Sequence, residues 1–477
     1  MNRVFSGKTR TESDLIGPRE VPEEALYGVQ TLRGIENFVI SHFHLSEYPL
    51  FINGLAYTKM GAAIANHQLG LLTDEQKNAI VAACQEILDG QHREDFPIDM
   101  IQGGAGTTTN MNANEVIANR ALELMGHKRG EYQYCSPNDH VNCAQSTNDA
   151  YPTAIHLGLY ATHLKLIPVL EKLIEAFSKK GEEFAHIIKM GRTQLQDAVP
   201  MTLGQTFNGF ASILRDEIKH LKEAAEDFLT VNMGATAIGT GICAEPGYAE
   251  KCVKALGEIT GWNIKLSDDL VGATSDTSCM VGYSSALKRL AVKLSKISND
   301  LRLLSSGPRC GLGEINLPAM QPGSSIMPGK VNPVIPEVMS QICFKVMGNE
   351  VCVTMAGEAS QMELNAMEPV MAQCTFESAE LLMNGMETLR RLCVEGITAN
   401  EERCRSYVHN SIGVVTALNP IIGYKNSTKI AKEALATGRS VYELVLEHGV
   451  LTKEELDTIL LPENMIKPVK LDIKPRK

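Results

Sequence analysis

Four clusters of hydroxyl, amide and charged side chains interrupt an otherwise aliphatic chain. The first, Gly104-Ala105-Gly106-Thr107-Thr108-Thr109-Asn110-Met111-Asn112, precedes the helix-like Ala113-Asn114-Glu115-Val116. The second, Gln145-Ser146-Thr147-Asn148-Asp149, sits at the entry to a long helical segment. Thr, Ser, Asn and Asp satisfy free backbone amides at helix starts, so each cluster reads on its own as a cap. Together they carry more consecutive hydrogen-bonding groups than a cap requires. A helix N-terminus with surplus donors suits a carboxylate. The third cluster, Gly191-Arg192-Thr193-Gln194-Leu195-Gln196-Asp197-Ala198, is a polar stretch between two helical segments. The fourth, Gly323-Ser324-Ser325-Ile326-Met327-Pro328-Gly329-Lys330-Val331-Asn332-Pro333, lies in a Gly/Pro-rich stretch between two helical runs. Its Ile326, Met327 and Val331 are apolar while Lys330 and Asn332 are not, which suits folding over an anion and excluding water.

The elements that must position these clusters are helices. Leu287, Leu290, Leu294, Ile297, Leu301 and Leu304 step by three and four, as do Leu166, Leu170, Leu173 and Phe177 around a kink expected at Pro168. Such a stripe needs a facing helix, and a bundle completed by other subunits is the simplest answer. The chain has 477 residues, which suggests roughly three domains at about 150 residues each. We read residues 1–143 as a mixed, mostly helical domain of short helices and shaped loops, 144–397 as a long-helix bundle, and 398–477 as a small helical domain. In the last of these, Thr452 and Glu455 have capping-box spacing. The fold class expected is mainly α.

Bulk properties narrow the function. A formal charge of -11 leaves no basic field to gather polyanions, so nucleic acid is excluded as a partner. The 12 Cys are scattered without a C-x-x-C pair, which reads as reduced thiols and a cytoplasmic location. Neither a leader nor a run of about 18 apolar residues is found, so no membrane association is expected.

The four clusters, in this order, resemble the signature regions of the fumarase/aspartase superfamily, and residues 323–332 fit its pattern G-S-S-x-x-P-x-K-x-N without a gap. The resemblance extends to Gly17-Pro18-Arg19-Glu20-Val21-Pro22 and to Thr31-Leu32-Arg33-Gly34-Ile35-Glu36-Asn37-Phe38, and covers essentially the whole chain. It implies the superfamily's three-domain fold, with a long central helical bundle that forms a multi-helix core in a homotetramer and active sites shared by three subunits. Within the superfamily the aspartase branch fits best. Fumarases usually carry a His where this chain has Gln194, paired with a Glu corresponding to Glu337, and tend to have Ser where Ala105 stands. One departure is Thr107-Thr108, where members commonly have Thr-Ser.

The activity implied is reversible anti elimination of ammonia from L-aspartate to give fumarate through an aci-carboxylate. By resemblance Ser324 is the general base. Thr107, Ser146, Thr147 and Ser325 would receive the β-carboxylate, while Thr193, Lys330 and Asn332 would hold the α-carboxylate. Asn148 would face the amino group, with Gln194 beside the substrate. No cofactor is required by this chemistry, and a divalent cation such as Mg would be an activator. The alternatives are a class II fumarase and a catalytically silent structural oligomer of the same fold.

Overall fold

The computed structural model describes residues 5–473 and is 62% helical. It opens on an antiparallel hairpin, Thr9–Asp14 with Gly17–Pro22, in the register Thr9 to Pro22. Asp14 Oδ1 accepts from the amides of Ile16 and Gly17 in the turn, and Arg33 clamps the same carboxylate at 2.7 and 2.8 Å. Where short helices joined by loops are expected, the helices are longer. They span Pro49–Gln68, Asp74–Leu88 and Thr107–Leu124. The reason is burial: Pro49–Gln68 is buried almost all round, so Gly54 and Gly61 sit at close helix contacts rather than breaking the helix. Glu115 ties this region together. Its buried carboxyl accepts from the amides of Gly28, Gln30 and Thr31 and from the Thr31 hydroxyl, all within 3.0 Å, and so caps the helix Val29–Asn37 from a distance.

Five helices of 24 to 37 residues follow: Thr147–Glu183, Leu203–Glu226, Ser278–Leu304, Val334–Glu358 and Glu368–Leu392. The leucine stripe from Leu287 to Leu304 is buried throughout, as are Leu166, Leu170, Leu173 and Phe177. The first of these helices continues through both Pro152 and Pro168. The C-terminal residues form shorter helices, and Thr452 and Glu455 make both bonds of their capping box. No helix among the described residues is long and apolar enough to cross a membrane.

The chain divides into two compact units, each discontinuous in sequence. One comprises residues 1–168, 217–291 and 342–383; the other comprises 169–216, 292–341 and 384–477. The first unit contains the first two polar clusters, and the second unit contains the other two.

Candidate active site

In the first unit the chain approaches the helix Thr107–Leu124 through three consecutive left-handed residues, Gly104, Ala105 and Gly106, at φ of 92°, 54° and 88°. A Cβ at Gly106 would lie 2.4 Å from the Tyr151 ring, so this turn is pressed against the helix that carries the second cluster. Asn110 joins the two clusters directly: its Nδ2 donates to Thr147 Oγ1 and to Asn142 Oδ1, each at 3.1 Å. Beneath Asn110 lies Lys59, fully buried, whose Nζ donates to Asn110 Oδ1 at 2.6 Å, Gln145 Oε1 at 2.7 Å and Asn142 Oδ1 at 3.1 Å. Burial pushes the Lys59 ammonium down to about 7, against the opposing charge of Asp149. Three side-chain oxygens around a buried ammonium are what keeps it tolerable there. They also fix which end of each amide faces which way.

Asp149 is the matching buried anion. It accepts from the amides of Ser146 at 2.9 Å, Gly234 at 3.0 Å and Thr236 at 2.9 Å, while burial raises its carboxyl to about 6. The loop that contains Gly234 and Thr236 thereby folds onto the second cluster. Asn148 Nδ2 donates to the Ala237 carbonyl of that loop at 2.7 Å, which orients its amide and leaves Oδ1 as the acceptor end.

The hydroxyls sort by what they do. Ser146 Oγ accepts from the Asn148 amide at 3.2 Å, and Thr147 Oγ1 accepts from Asn110. A hydroxyl oxygen occupied as an acceptor has its own hydrogen to give elsewhere, so both are set to donate to an anion. Thr107 differs. Its Oγ1 donates to the Gly104 carbonyl at 2.8 Å, so donation to a ligand needs a rotation about χ1.

In the second unit the third cluster is a β-hairpin rather than a loop between helices. Strands Ile188–Thr193 and Gln196–Thr202 pair with Thr193 opposite Gln196, and Gln194 and Leu195 form the two-residue turn at φ of 54° and 61°. That is the type I′ arrangement usually given to Asn-Gly, which is why the sequence concealed it. Thr193 and Gln194 are exposed at its tip. The hairpin is anchored by the buried Glu314 carboxylate, paired with Arg192 at 2.5 Å and Lys189 at 3.1 Å.

The fourth cluster closes on itself. The Gly323 amide donates to the Lys330 carbonyl at 2.8 Å, and Asn332 Nδ2 donates to the Gly323 carbonyl at 2.7 Å. A Cβ at Gly323 would meet the Lys330 oxygen at 2.5 Å, so the neck requires glycine. Inside the loop, Ser324 Oγ accepts from the amides of Ile326 at 3.2 Å and Met327 at 2.9 Å. Two amide dipoles aimed at one hydroxyl oxygen stabilise negative charge there. Ser325 and Lys330 are exposed, as are Ile326, Met327 and Val331.

The structure therefore gathers Thr107, Ser146, Thr147 and Asn148 in one unit and presents Thr193 and Gln194, and separately Ser324, Ser325, Lys330 and Asn332, in the other. Sequence reasoning missed Lys59, Asn142 and the 234–237 loop. Lys59 did carry a signal: it is a solitary cation in the apolar run Leu55-Ala56-Tyr57-Thr58-Lys59-Met60.

The family model described as "Lyase" matches residues 17–348, and that described as "Fumarase C C-terminus" matches residues 414–467. An aspartate ammonia-lyase of Pseudomonas canavaninivorans is 59% identical over 96% of this chain and 97% of its own. The aspartate ammonia-lyase of Escherichia coli (strain K12) is 55% identical over 97% of each. Among solved structures, a fumarate lyase:delta crystallin from Brucella melitensis bound to cobalt superposes with a TM-score of 0.94 at 52% identity, over 97% of this chain and 100% of its own. A class II fumarase from Schistosoma mansoni superposes with a TM-score of 0.89 at 36% identity, over 96% and 99%. With matches that run the length of the chain and include all four clusters, the chain belongs to the lyase family of the fumarase/aspartase superfamily, on its aspartate ammonia-lyase branch.

Proposed function

We propose that the chain catalyses the reversible elimination of ammonia from L-aspartate to give fumarate. The observation that carries the mechanism is the Ser324 hydroxyl, held under two backbone amides in a loop whose neck is closed by Lys330 and Asn332. Identity of 55% or more to aspartate ammonia-lyases supports the choice of substrate.

The proton on C3 of aspartate is weakly acidic because the neighbouring carboxylate is already negative. Removing it builds a doubly charged aci-carboxylate. In this reading Ser146 and Thr147, with Thr107 and Ser325, donate to that group, each well-placed donor contributing about 3 kcal/mol. Thr193, Lys330 and Asn332 take the α-carboxylate, so both ends are fixed and the elimination becomes effectively intramolecular. Asn148 presents its amide oxygen to the amino group, with Gln194 nearby. Ser324, stabilised as an alkoxide by the loop amides and the Lys330 charge, removes the proton as the loop closes. The amino group is already –NH3+ when the C–N bond breaks, so neutral NH3 departs with the bonding pair and no dedicated acid is needed.

The working form in this reading is a homotetramer with each site built from three subunits, acting in the cytoplasm without a cofactor and with a divalent cation such as Mg at most as an activator. The organisation into residues 1–143, 144–397 and 398–477 belongs to the same reading. The exposed apolar side chains Phe344, Val351 and Met355 on one helix are suited to an oligomer interface. The test is incubation with L-aspartate while fumarate absorbance is followed, repeated with L-malate. Turnover of malate without turnover of aspartate would replace this proposal with a fumarase.

A further inference from the structure

A cavity of about 340 Å³ lies within the first unit, apart from the polar clusters described above. Its wall includes Pro152 and His156 of the helix Thr147–Glu183, the segment ending at Asn232, the start of the helix Ser278–Leu304, and Glu368 at the head of the helix Glu368–Leu392. Two features tie it to Asn148. Asn148, Pro152 and His156 step by four along one helix face, so the cavity begins about 6 Å along the axis from Asn148. Asn232, in the wall, donates through Nδ2 to the Asn148 carbonyl at 3.0 Å.

The lining is acidic in composition. Asp227, Asp276 and Glu368 contribute to it, and no lysine or arginine does. His156 supplies no positive charge: its Nδ1 faces the Thr230 carbonyl at 3.0 Å, its Nε2 faces Cys279 Sγ at 3.1 Å, and burial drives the imidazole down to about 4. Asp276 is engaged in capping Ser278, accepting from its amide at 3.0 Å and its hydroxyl at 2.7 Å. Glu368 is not so engaged. It is only 3% exposed, and among the described residues it has no hydrogen-bond or ion-pair partner. Burial raises its carboxyl to about 8, the behaviour of an acid with no cation beside it. A position in the first turn of a helix favours a glutamate modestly, but that gain does not require burial, and burial of an unpaired carboxyl opposes it. The side chain is placed to receive a cation.

We propose that this cavity is an ammonium site, in which the Glu368 acid gives its proton to the NH3 released next to Asn148 and holds the resulting ammonium, and in the reverse direction its carboxylate takes that proton back and frees NH3 for amination. The volume leaves room for ammonium and several waters. Ammonium fits better than a divalent metal, because no group of three or more His, Cys, Asp and Glu side chains among the described residues is arranged to hold a metal ion. When ammonium binds the protonated acid, the Glu368 proton passes to solvent and a carboxylate–ammonium pair remains. The inference rests on the ammonia-lyase reading for its ligand, and the tests below separate the two.

With the intact oligomer, initial rates of fumarate amination are measured while ammonium is varied, for wild type and Glu368→Gln. The expected result is a KM for ammonium raised at least roughly tenfold with the KM for fumarate within about twofold. An unchanged KM for ammonium overturns the proposal. A second measurement needs no variant and no turnover: wild-type crystals soaked in rubidium chloride, an ammonium-sized probe, are expected to show an anomalous peak beside the Glu368 carboxylate. A cavity without that peak, or one that takes manganese in preference to rubidium in a mixed soak, overturns the site as proposed. Failure of wild type to interconvert aspartate and fumarate would instead count against the proposed function, leaving the rubidium experiment to decide the site on its own.

Discussion

The hydroxyl oxygen of Ser324 accepts the amide hydrogen of Met327 across 2.9 Å, and that of Ile326 across 3.2 Å. An oxygen already facing two donors gains most when it becomes negative, because the dipoles are in place before the charge appears. Ser324→Ala is therefore expected to lower kcat by about 10³-fold while a competitive dicarboxylate inhibitor binds within about threefold of wild type. Isotope exchange at C3 checks the same point independently. Exchange at wild-type rates in the variant would remove Ser324 from the proton-transfer step.

The neck of that loop provides a separable test. Gly323→Ala places a Cβ 2.5 Å from the Lys330 carbonyl oxygen and 2.8 Å from the Asn332 backbone nitrogen, so the neck must open and the Gly323–Lys330 bond that closes it cannot persist unchanged. The loop is exposed and outside the core, so Tm is expected to move by no more than about 2 °C. Activity is expected to fall by about 10²-fold, as for a misplacement of a catalytic group by about 1 Å. Loss of activity accompanied by a large drop in Tm would show that the neck is structural.

Lys59 gives a prediction in pH. Its folded pKa is depressed to about 7 from 10.5, so between those values the unfolded chain binds more protons than the folded one. The associated penalty is absent above pH 10.5 and fully developed below about pH 7, so Lys59 makes stability rise with pH across that window. Its neighbours on the packed elements are Asp149, Cys84 and Cys252, of which the two thiols are raised by burial and stay neutral there. Lys59→Met is expected to flatten the rise in Tm between pH 7 and pH 10 and to leave Asn110 free to turn. KM for the substrate is then expected to increase by about tenfold. A Tm difference between wild type and variant that is the same at every pH would refute the assignment.

At the hairpin tip Leu195 is the apolar, branched one of two left-handed residues. Leu195 is 70% exposed at φ 61°, where a branched side chain is unfavourable and glycine is not. Leu195→Gly is expected to stabilise the protein by up to about 1 kcal/mol without reducing kcat. A loss of kcat would mean that the leucine side chain itself serves the site.

Assembly is tested on the helix Val334–Glu358. Phe344 and Met355 are 59% and 67% exposed, unusual for such side chains unless another surface covers them. Phe344→Glu is expected to shift the protein to a smaller species on sedimentation and to remove most activity. A fully active monomer would contradict sites shared between subunits.

Much of the helical framework was legible because its signal is periodic. The Leu287 to Leu304 stripe and the Thr452 capping box are properties of neighbouring residues, and both are present as read. The Gln194-Leu195 turn was not legible, since neither residue has the intrinsic preference for positive φ that would announce a hairpin. The Lys59 network was invisible for a different reason. Its partners Asn110, Asn142 and Gln145 are 51 to 86 positions away, so only the fold makes them a group. Residue types revealed the hydroxyl clusters; which hydroxyl donates and which accepts, as for Thr147 against Thr107, depends on contacts that only the structure supplies.

Gly106 leaves no gap against the Tyr151 ring, and Asp149 stitches its own helix start to the Gly234 and Thr236 amides. The first two clusters are thus set in place as the first unit folds, like a cast mould, whereas the Ser324 segment of the second unit is exposed to solvent. In the proposed mechanism the ordering entropy of ligand capture then falls on one short stretch of backbone, and substitutions that stiffen or loosen that stretch are expected to tune turnover without disturbing the mould.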